Sequence, residues 1–361
     1  MNSVANVQYI NHYRTGALSF ALDVDPLGFS DKRQACTWPL ENTRLRKLCK
    51  NLSTRNRITT AMSDTLQEEH AAADHAMRNW TFDRQGPVRI GSDAHMQMFC
   101  RMLLDTHNPY KPAVIDWPAL TPAELKRLTS LPIWDIAVQT EGRASIRVAT
   151  YAATIGDPLL RRALEMDGGE EARHKVVLSK LVAAYGIRLA PEPAYPAPKD
   201  PEWWWIVTGF SECIDSFFAF GLFRSAQRSG YFPPELVDTF EPVIQEEGRH
   251  ILFFVNWYAW YWRSLPWWRR PWFFARVAAV WVHLIRERIG IARGIDSDGV
   301  ARDANFPATG TADIGDALNP RELIELCLAE NDRRMAGYDK RLLRPMFVPR
   351  MARFALRFLK K

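Results

Sequence analysis

Two short stretches decide the fold: Glu170-Glu171-Ala172-Arg173-His174 and Glu246-Glu247-Gly248-Arg249-His250. On a helix, the i, i+3 spacing of Glu171 with His174, and of Glu247 with His250, sets one carboxylate and one imidazole on the same face. That is the layout of a metal-ligand pair. One Glu-x-x-His string arises easily by chance. Two copies that share the preceding acid and the arginine do not, in a chain with only eight histidines.

A carboxylate-bridged two-metal site in a four-helix bundle takes a Glu from each of two helices and a Glu-x-x-His from each of the other two. The chain supplies these in order: Glu141, then Glu171 with His174, then Glu212, then Glu247 with His250. Steps of three and four from each carboxylate meet apolar residues, among them Trp134, Ala137, Ala144 and Val148 around Glu141, and Val243, Phe254 and Trp257 around Glu247. Bare carboxylates in such stripes would cost many kcal/mol unless they pair, protonate or bind metal. Two divalent ions balance four carboxylates when both histidines are neutral. A carboxylate-rich set with two imidazoles suits iron, and a manganese and iron pair fits the same donors. The expected ligands are therefore Glu141, Glu171, His174, Glu212, Glu247 and His250.

The length allows two domains or one helical domain with extensions. Five scattered cysteines without a C-x-x-C suit a reducing cytoplasm. The first residues lack the basic start and apolar core of a signal peptide, and no run of eighteen apolar residues reads as a membrane span. The pattern gives an irregular segment over 1–40, helices over 42–80 and 92–106, and a proline-bearing loop to Pro122. Four bundle helices are expected at 132–155, 157–185, 202–229 and 234–263, with a long proline-rich connection between the second and third. A helix to Gly290, a link over 293–320, a helix from Arg321 and a basic tail complete the chain. The expected division is 1–131 as an N-terminal helical extension packed on the bundle, 132–264 as the bundle, and 265–361 as a C-terminal helical extension with a basic amphipathic tail.

Residues 134–258 resemble the ferritin-like di-iron oxidases, especially acyl-carrier-protein desaturases and the hydroxylase subunits of bacterial multicomponent monooxygenases. The resemblance rests on Glu141, Glu212 and the two quoted stretches. It implies an all-α, ferritin-like four-helix bundle with additional N- and C-terminal helices, two non-haem iron ions, and O2 as co-substrate. It implies bridging roles for Glu171 and Glu247 and mainly terminal roles for Glu141 and Glu212. Glu170 and Glu246 would orient the ligating histidines, with Arg173 and Arg249 balancing charge; the competing reading is ion pairing on a solvated helix face. Ser216, one turn after Glu212, stands where the monooxygenases carry a hydroxyl near the oxygen-binding face, which makes it the catalytic candidate; the alternative is a backbone-bonded helical serine. Leu178 replaces the radical tyrosine of ribonucleotide reductase small subunits, and Val243 replaces the extra histidine of para-aminobenzoate N-oxygenases, so both relatives fit less well.

The resemblance points to an oxidoreductase that hydroxylates or desaturates an apolar, lipid-like or acyl substrate. No flavin or nicotinamide motif is evident, so a separate ferredoxin or reductase is expected as electron donor. The alternative is a ferroxidase or store without organic substrate, which leaves the long extensions without a purpose. Small residues near the ligands, Ala137, Ala144, Gly168, Gly209 and Ala219, either open a cavity or allow close helix packing. The tail from Arg341 alternates arginine with Met, Phe and Leu, and Trp267, Trp268, Trp272, Phe273 and Phe274 form an aromatic patch. Both compositions suit peripheral contact with the inner membrane face; packing on the bundle is the alternative. No nucleic-acid motif accompanies the net charge of +6, and a homodimer is allowed. His70 and His75 read as solvated, and His95, His107 and His283 as isolated.

Overall fold

Asp157 starts the second of the ligand-bearing helices. Its carboxylate accepts from the backbone N–H groups of Leu159 and Leu160 at 2.9 and 2.8 Å, and Pro158 presets the first turn. Gly186 and Gly230 follow the second and third ligand helices with φ of 65° and 64°, a conformation that glycine adopts without a Cβ penalty. These signals were legible in the sequence, and the ends of the four bundle helices fall within three residues of the expected ones.

The computed structural model describes residues 65, 67–110, 117–131, 133–294 and 319–359. The irregular segment expected over 1–40, most of the helix expected over 42–80, part of the proline-bearing loop and nearly all of the 293–320 link lie outside the described residues. The chain divides after Leu66, and Gln67–Lys361 forms one unit whose regular elements among the described residues are all helices. Its helices are α1 (67–78), α2 (Asp93–Asp105), α3 (Pro122–Ser130), α4 (Trp134–Ala152), α5 (Pro158–Ala184), α6 (Pro201–Ser229), α7 (Pro234–Ser264), α8 (Arg270–Gly294), α9 (Pro320–Met335) and α10 (Phe347–Ala355).

Helices α4, α5, α7 and α6 pack in a ring, each touching the next. The connection from α5 to α6 runs the length of α4. Ala190 donates to Asp135 at 2.7 Å, Tyr195 lies against Gly142, and Arg147 sits 4.1 Å over the Trp204 ring. Position along α4 therefore rises with position along the connection, and α6 then runs back antiparallel to α4. Helix α2 packs against α5 and α7, α8 against α6, and α9 against α6 and α7.

Two apolar clusters fill the ring. Tyr151, Trp205, Phe253, Phe254 and Trp257 pack at one end, and Leu131, Trp134, Val138, Leu181 and Leu236 at the other. The acidic residues lie between them. Helix α6 alone is long and apolar enough to cross a membrane by length and composition among the described residues. Its apolarity has a local cause, since it is an inner helix of the bundle with Trp205, Ile206, Phe217 and Phe220 buried.

The small residues divide between the two expected roles. Ala137, Ala144 and Ala219 line a cavity, whereas Gly209 sits against the Phe254 ring and Gly168 against the α4 backbone at Ser145 and Ala149. Ser145 also donates to the Gly168 carbonyl at 2.9 Å.

Candidate metal centre

Glu171 and His174 project from α5, and Glu247 and His250 from α7, one helical turn apart in each case. Ligand atoms of Glu141, Glu171, His174 and Glu247 all lie within 4.8 Å of one another. A second cluster joins Asp167, Glu171 and His250 under the same limit, so Glu171 belongs to both. Glu212 stands outside both clusters but lines the same cavity, and its Oε1 is buried without a hydrogen-bond partner.

Each histidine is held from behind by the acid of the opposite motif. His174 Nε2 lies 2.8 Å from Glu246 and His250 Nε2 lies 2.8 Å from Glu170. An ionised carboxylate can only accept, so each Nε2 carries a proton, which leaves Nδ1 as the nitrogen that would ligate a metal. Those Nδ1 atoms face the inner carboxylates: His250 Nδ1 is 2.8 Å from Glu171, and His174 Nδ1 is 3.2 Å from Glu247 and 3.6 Å from Glu141. Carboxylates bonded to the far nitrogen fix the tautomer and ring orientation of a ligating histidine.

The outer carboxylates are neutralised. Arg249 donates to both oxygens of Glu170 at 2.9 and 3.0 Å, and also to Thr106 and the Leu103 carbonyl. Arg173 donates to Glu246 and, at 2.9 Å, to the Asn108 carbonyl. His107 bonds Glu170 at 2.6 Å. The C-terminal end of α2 and the residues after it thus close this shell. His107 was expected to stand alone, and its partner comes from a helix far away in the chain. His95 likewise bonds Asn256 at 3.0 Å. Glu170, Glu246 and Arg249 are at most 1% exposed, so the solvated-surface reading does not hold for them.

The inner carboxylates have no such cations. Burial, then the charges of Glu141 and Glu247, push the Glu171 carboxyl well above its ordinary range. Burial, then Glu171 and Asp167, do the same to Glu212. Asp167 is pushed up to about 6 by burial, opposed by His250. Glu247 goes the other way: burial raises it, but the hydrogen bond and charge of His174, with His250 and Ser216, outweigh burial. Burial likewise opposes the charge of Glu170, and Arg249, His107 and His250 overcome it.

Both Asp167 oxygens and Glu212 Oε1 are buried without a hydrogen-bond partner. Orphaned donors and acceptors of this kind are costly in a native interior. Five carboxylates around two imidazoles form the donor set that a hard or borderline divalent ion neutralises, so these residues fit a metal centre. Asp167 was missed in the sequence, although its place four residues before Glu171 puts it on the same helix face.

Comparison of the chain with protein-family models, with curated proteins and with solved structures finds no match. The assignment of chemistry therefore rests on the site itself.

The carboxylates open onto a cavity of about 310 Å³ between α4, α6 and α7. Glu141, Glu212 and Glu247 reach its wall, as does Ser216, whose hydroxyl donates to Glu247 Oε2 at 3.3 Å. The bond to Glu247 is a side-chain contact across the bundle, on the cavity side of α6.

Proposed function

We propose that this chain is a ferritin-like di-iron oxidase that hydroxylates or desaturates an apolar organic substrate with O2 and two electrons from a separate ferredoxin or reductase. The observation that carries the reading is the opening of the buried carboxylate and histidine cluster onto an apolar cavity of ligand size. A ferroxidase or store has no use for such a cavity, which favours the oxidase over the iron-handling alternative.

Glu141, Glu171, His174, Glu212, Glu247 and His250 would hold the metals, with Asp167 beside them. Bound iron would supply the activation of O2. Hydroxylation balances as R–H, O2, two electrons and two protons giving R–OH and water; desaturation takes two hydrogens from neighbouring carbons and gives two waters. The chain's own part is to hold each histidine in one tautomer through Glu246 and Glu170, to neutralise those acids with Arg173 and Arg249, and to keep bulk water from the cavity with apolar side chains. Ser216 holds a proton at Oγ on the cavity wall beside Glu247.

Peripheral attachment to an anionic membrane belongs to the same reading. Trp272, Phe274, Val282 and Ile285 are exposed on α8, and Phe347, Met351, Phe354 and Phe358 are exposed on and after α10 beside Arg350, Arg353 and Arg357. Trp281 meets Phe347 at 4.8 Å, which joins the two faces. Arg341 and Arg344 differ: they are tied to Asp339 and to backbone carbonyls, so the first part of the tail packs on the protein. An inner-face, cytoplasmic location is consistent with this surface.

Anaerobic titration with Fe(II), followed by O2 and a reductant, tests the oxidase. Two irons per chain, with O2 uptake that depends on the reductant and yields an oxidised organic product, are expected. Two irons that pass to a stable ferric form without using the reductant would establish the ferroxidase reading instead.

A further inference from the structure

The cavity is not uniformly apolar. One end is lined by Leu131, Trp134, Leu222, Leu236 and Phe240. At the other end, beyond the carboxylates, Arg143 and Arg147 of α4 face Thr208, Ser211 and Asp215 of α6 and Glu287 of α8. From Trp134 to Arg147 the wall runs about 20 Å along α4, at about 1.5 Å per residue.

The acids at the polar end are taken up by an arginine outside the cavity wall. Asp215 accepts from Arg288 at 2.8 Å through both oxygens and from Ser211 at 2.8 Å. Glu287 lies 3.8 Å from the same arginine. Arg143 and Arg147 form no ion pair with any described residue, whereas Asp215 and Glu287 both have Arg288 beside them. Arg147 rests its flat face on Trp204 and leaves its N–H edge unused. Burial, and the charge of Arg143 behind it, bring the Arg147 guanidinium down to about 10, against the pull of Glu287. Thr208 is 3% exposed, and its hydroxyl lines the cavity without a partner.

We infer that the cavity takes an amphipathic anion, an aliphatic chain with a single carboxylate head: Arg143, Arg147 and the Thr208 hydroxyl hold the head, and the chain passes Glu141, Glu212 and Glu247 into the apolar end. This names the substrate class of the site under "Proposed function" and rests on that reading for its chemistry, though not for its binding. A fixed head beside an unbranched channel presents one stretch of the chain to the metal ligands, so oxidation would fall at a set position along it.

The test uses the full chain, metal-free and again loaded with Zn(II), and measures binding of dodecanoate, dodecanol and methyl dodecanoate by calorimetry. Dodecanoate is expected to bind at least about tenfold more tightly than either neutral analogue, as hydrogen bonds to a charged group allow. In the double variant Arg143→Gln, Arg147→Gln that preference should vanish, while dodecanol binding stays and zinc stoichiometry is kept. Arg147→Lys, which retains charge without the planar fork, should lose only part of it. Equal binding of all three ligands, an unchanged preference in the double variant, or no binding of dodecanoate would each overturn the assignment. Dodecanoate selectivity in a protein whose iron-loaded form consumes no O2 would keep this assignment and remove the oxidase reading.

Discussion

Glu246, on α7, holds His174, on α5, at 2.8 Å through the nitrogen that faces away from the cavity. The reciprocal pair of Glu170 and His250 has the same length. Each motif therefore orients the histidine of the other, and neither half of the site is complete alone. Glu246→Gln keeps the shape and removes the charge that fixes the His174 tautomer. Metal affinity at that side should fall about 10- to 100-fold, read by competitive chelation; unchanged affinity would show that Glu246 is only a structural ion pair.

Glu171 belongs to both inner clusters and Glu141 to one. Glu171→Ala should remove most of both metals, and Glu141→Ala mainly one, as counted by metal analysis after gel filtration. Two tightly held metals in Glu171→Ala would refute the ligand assignment.

The pH dependence of the metal-free chain has a defined sign. Glu171 and Glu212 are raised by burial, while carboxylate partners raise His174 and His250 against burial. Groups raised in the folded state contribute fully below their unfolded values, about 4.3 for Glu and about 6.5 for His, and lose that contribution as pH rises through the folded values. Glu170 and Glu247 are lowered and act oppositely, contributing above about pH 4.3 and losing this as pH falls. The Tm of metal-free protein should therefore fall as pH rises above the unfolded histidine value of about 6.5, and the gain on adding metal should grow, because the ligands must shed protons to bind. A metal-free Tm that climbs over this range would contradict the burial of uncompensated acids.

Glycines that look alike in the sequence should respond in opposite directions. A Cβ at Gly209 would collide with the Phe254 ring, and Gly209→Ala should cost about 1–3 kcal/mol. A Cβ at Gly169 meets nothing within 4 Å, and Gly169→Ala should stabilise α5 by up to about 1 kcal/mol. Denaturant unfolding of the two variants compares them directly.

Membrane attachment is tested at Phe354 and Phe358, which are 51% and 72% exposed and should tolerate change in the folded protein. The wild-type chain should sediment with vesicles containing anionic lipid, and the double variant Phe354→Asp, Phe358→Asp should sediment much less while keeping its Tm. Equal sedimentation would remove the α10 surface from the reading.

The all-helical fold was legible because its signals are local. Apolar residues at three- and four-residue steps, the Asp157-Pro158 start and the Gly230 stop depend only on neighbours along the chain. The two pairs Glu171 with His174 and Glu247 with His250 were legible for the same reason, since i, i+3 spacing fixes a shared helix face, whereas Glu141 and Glu212 needed the bundle template. What the sequence could not decide is which groups meet across helices. The crossed holding of His174 by Glu246 and of His250 by Glu170, and the contact of His107 with Glu170, join residues more than sixty positions apart. Whether a small residue opens space or fills it was also set by packing: Ala137 borders a cavity, whereas Gly209 receives a phenyl ring. The pairing of Arg288 with Asp215, which leaves Arg143 and Arg147 without an acidic partner, exists only because α8 folds onto α6. Sequence pattern fixed which face each helix would bury; the ring of helices decided which charges those faces would compensate.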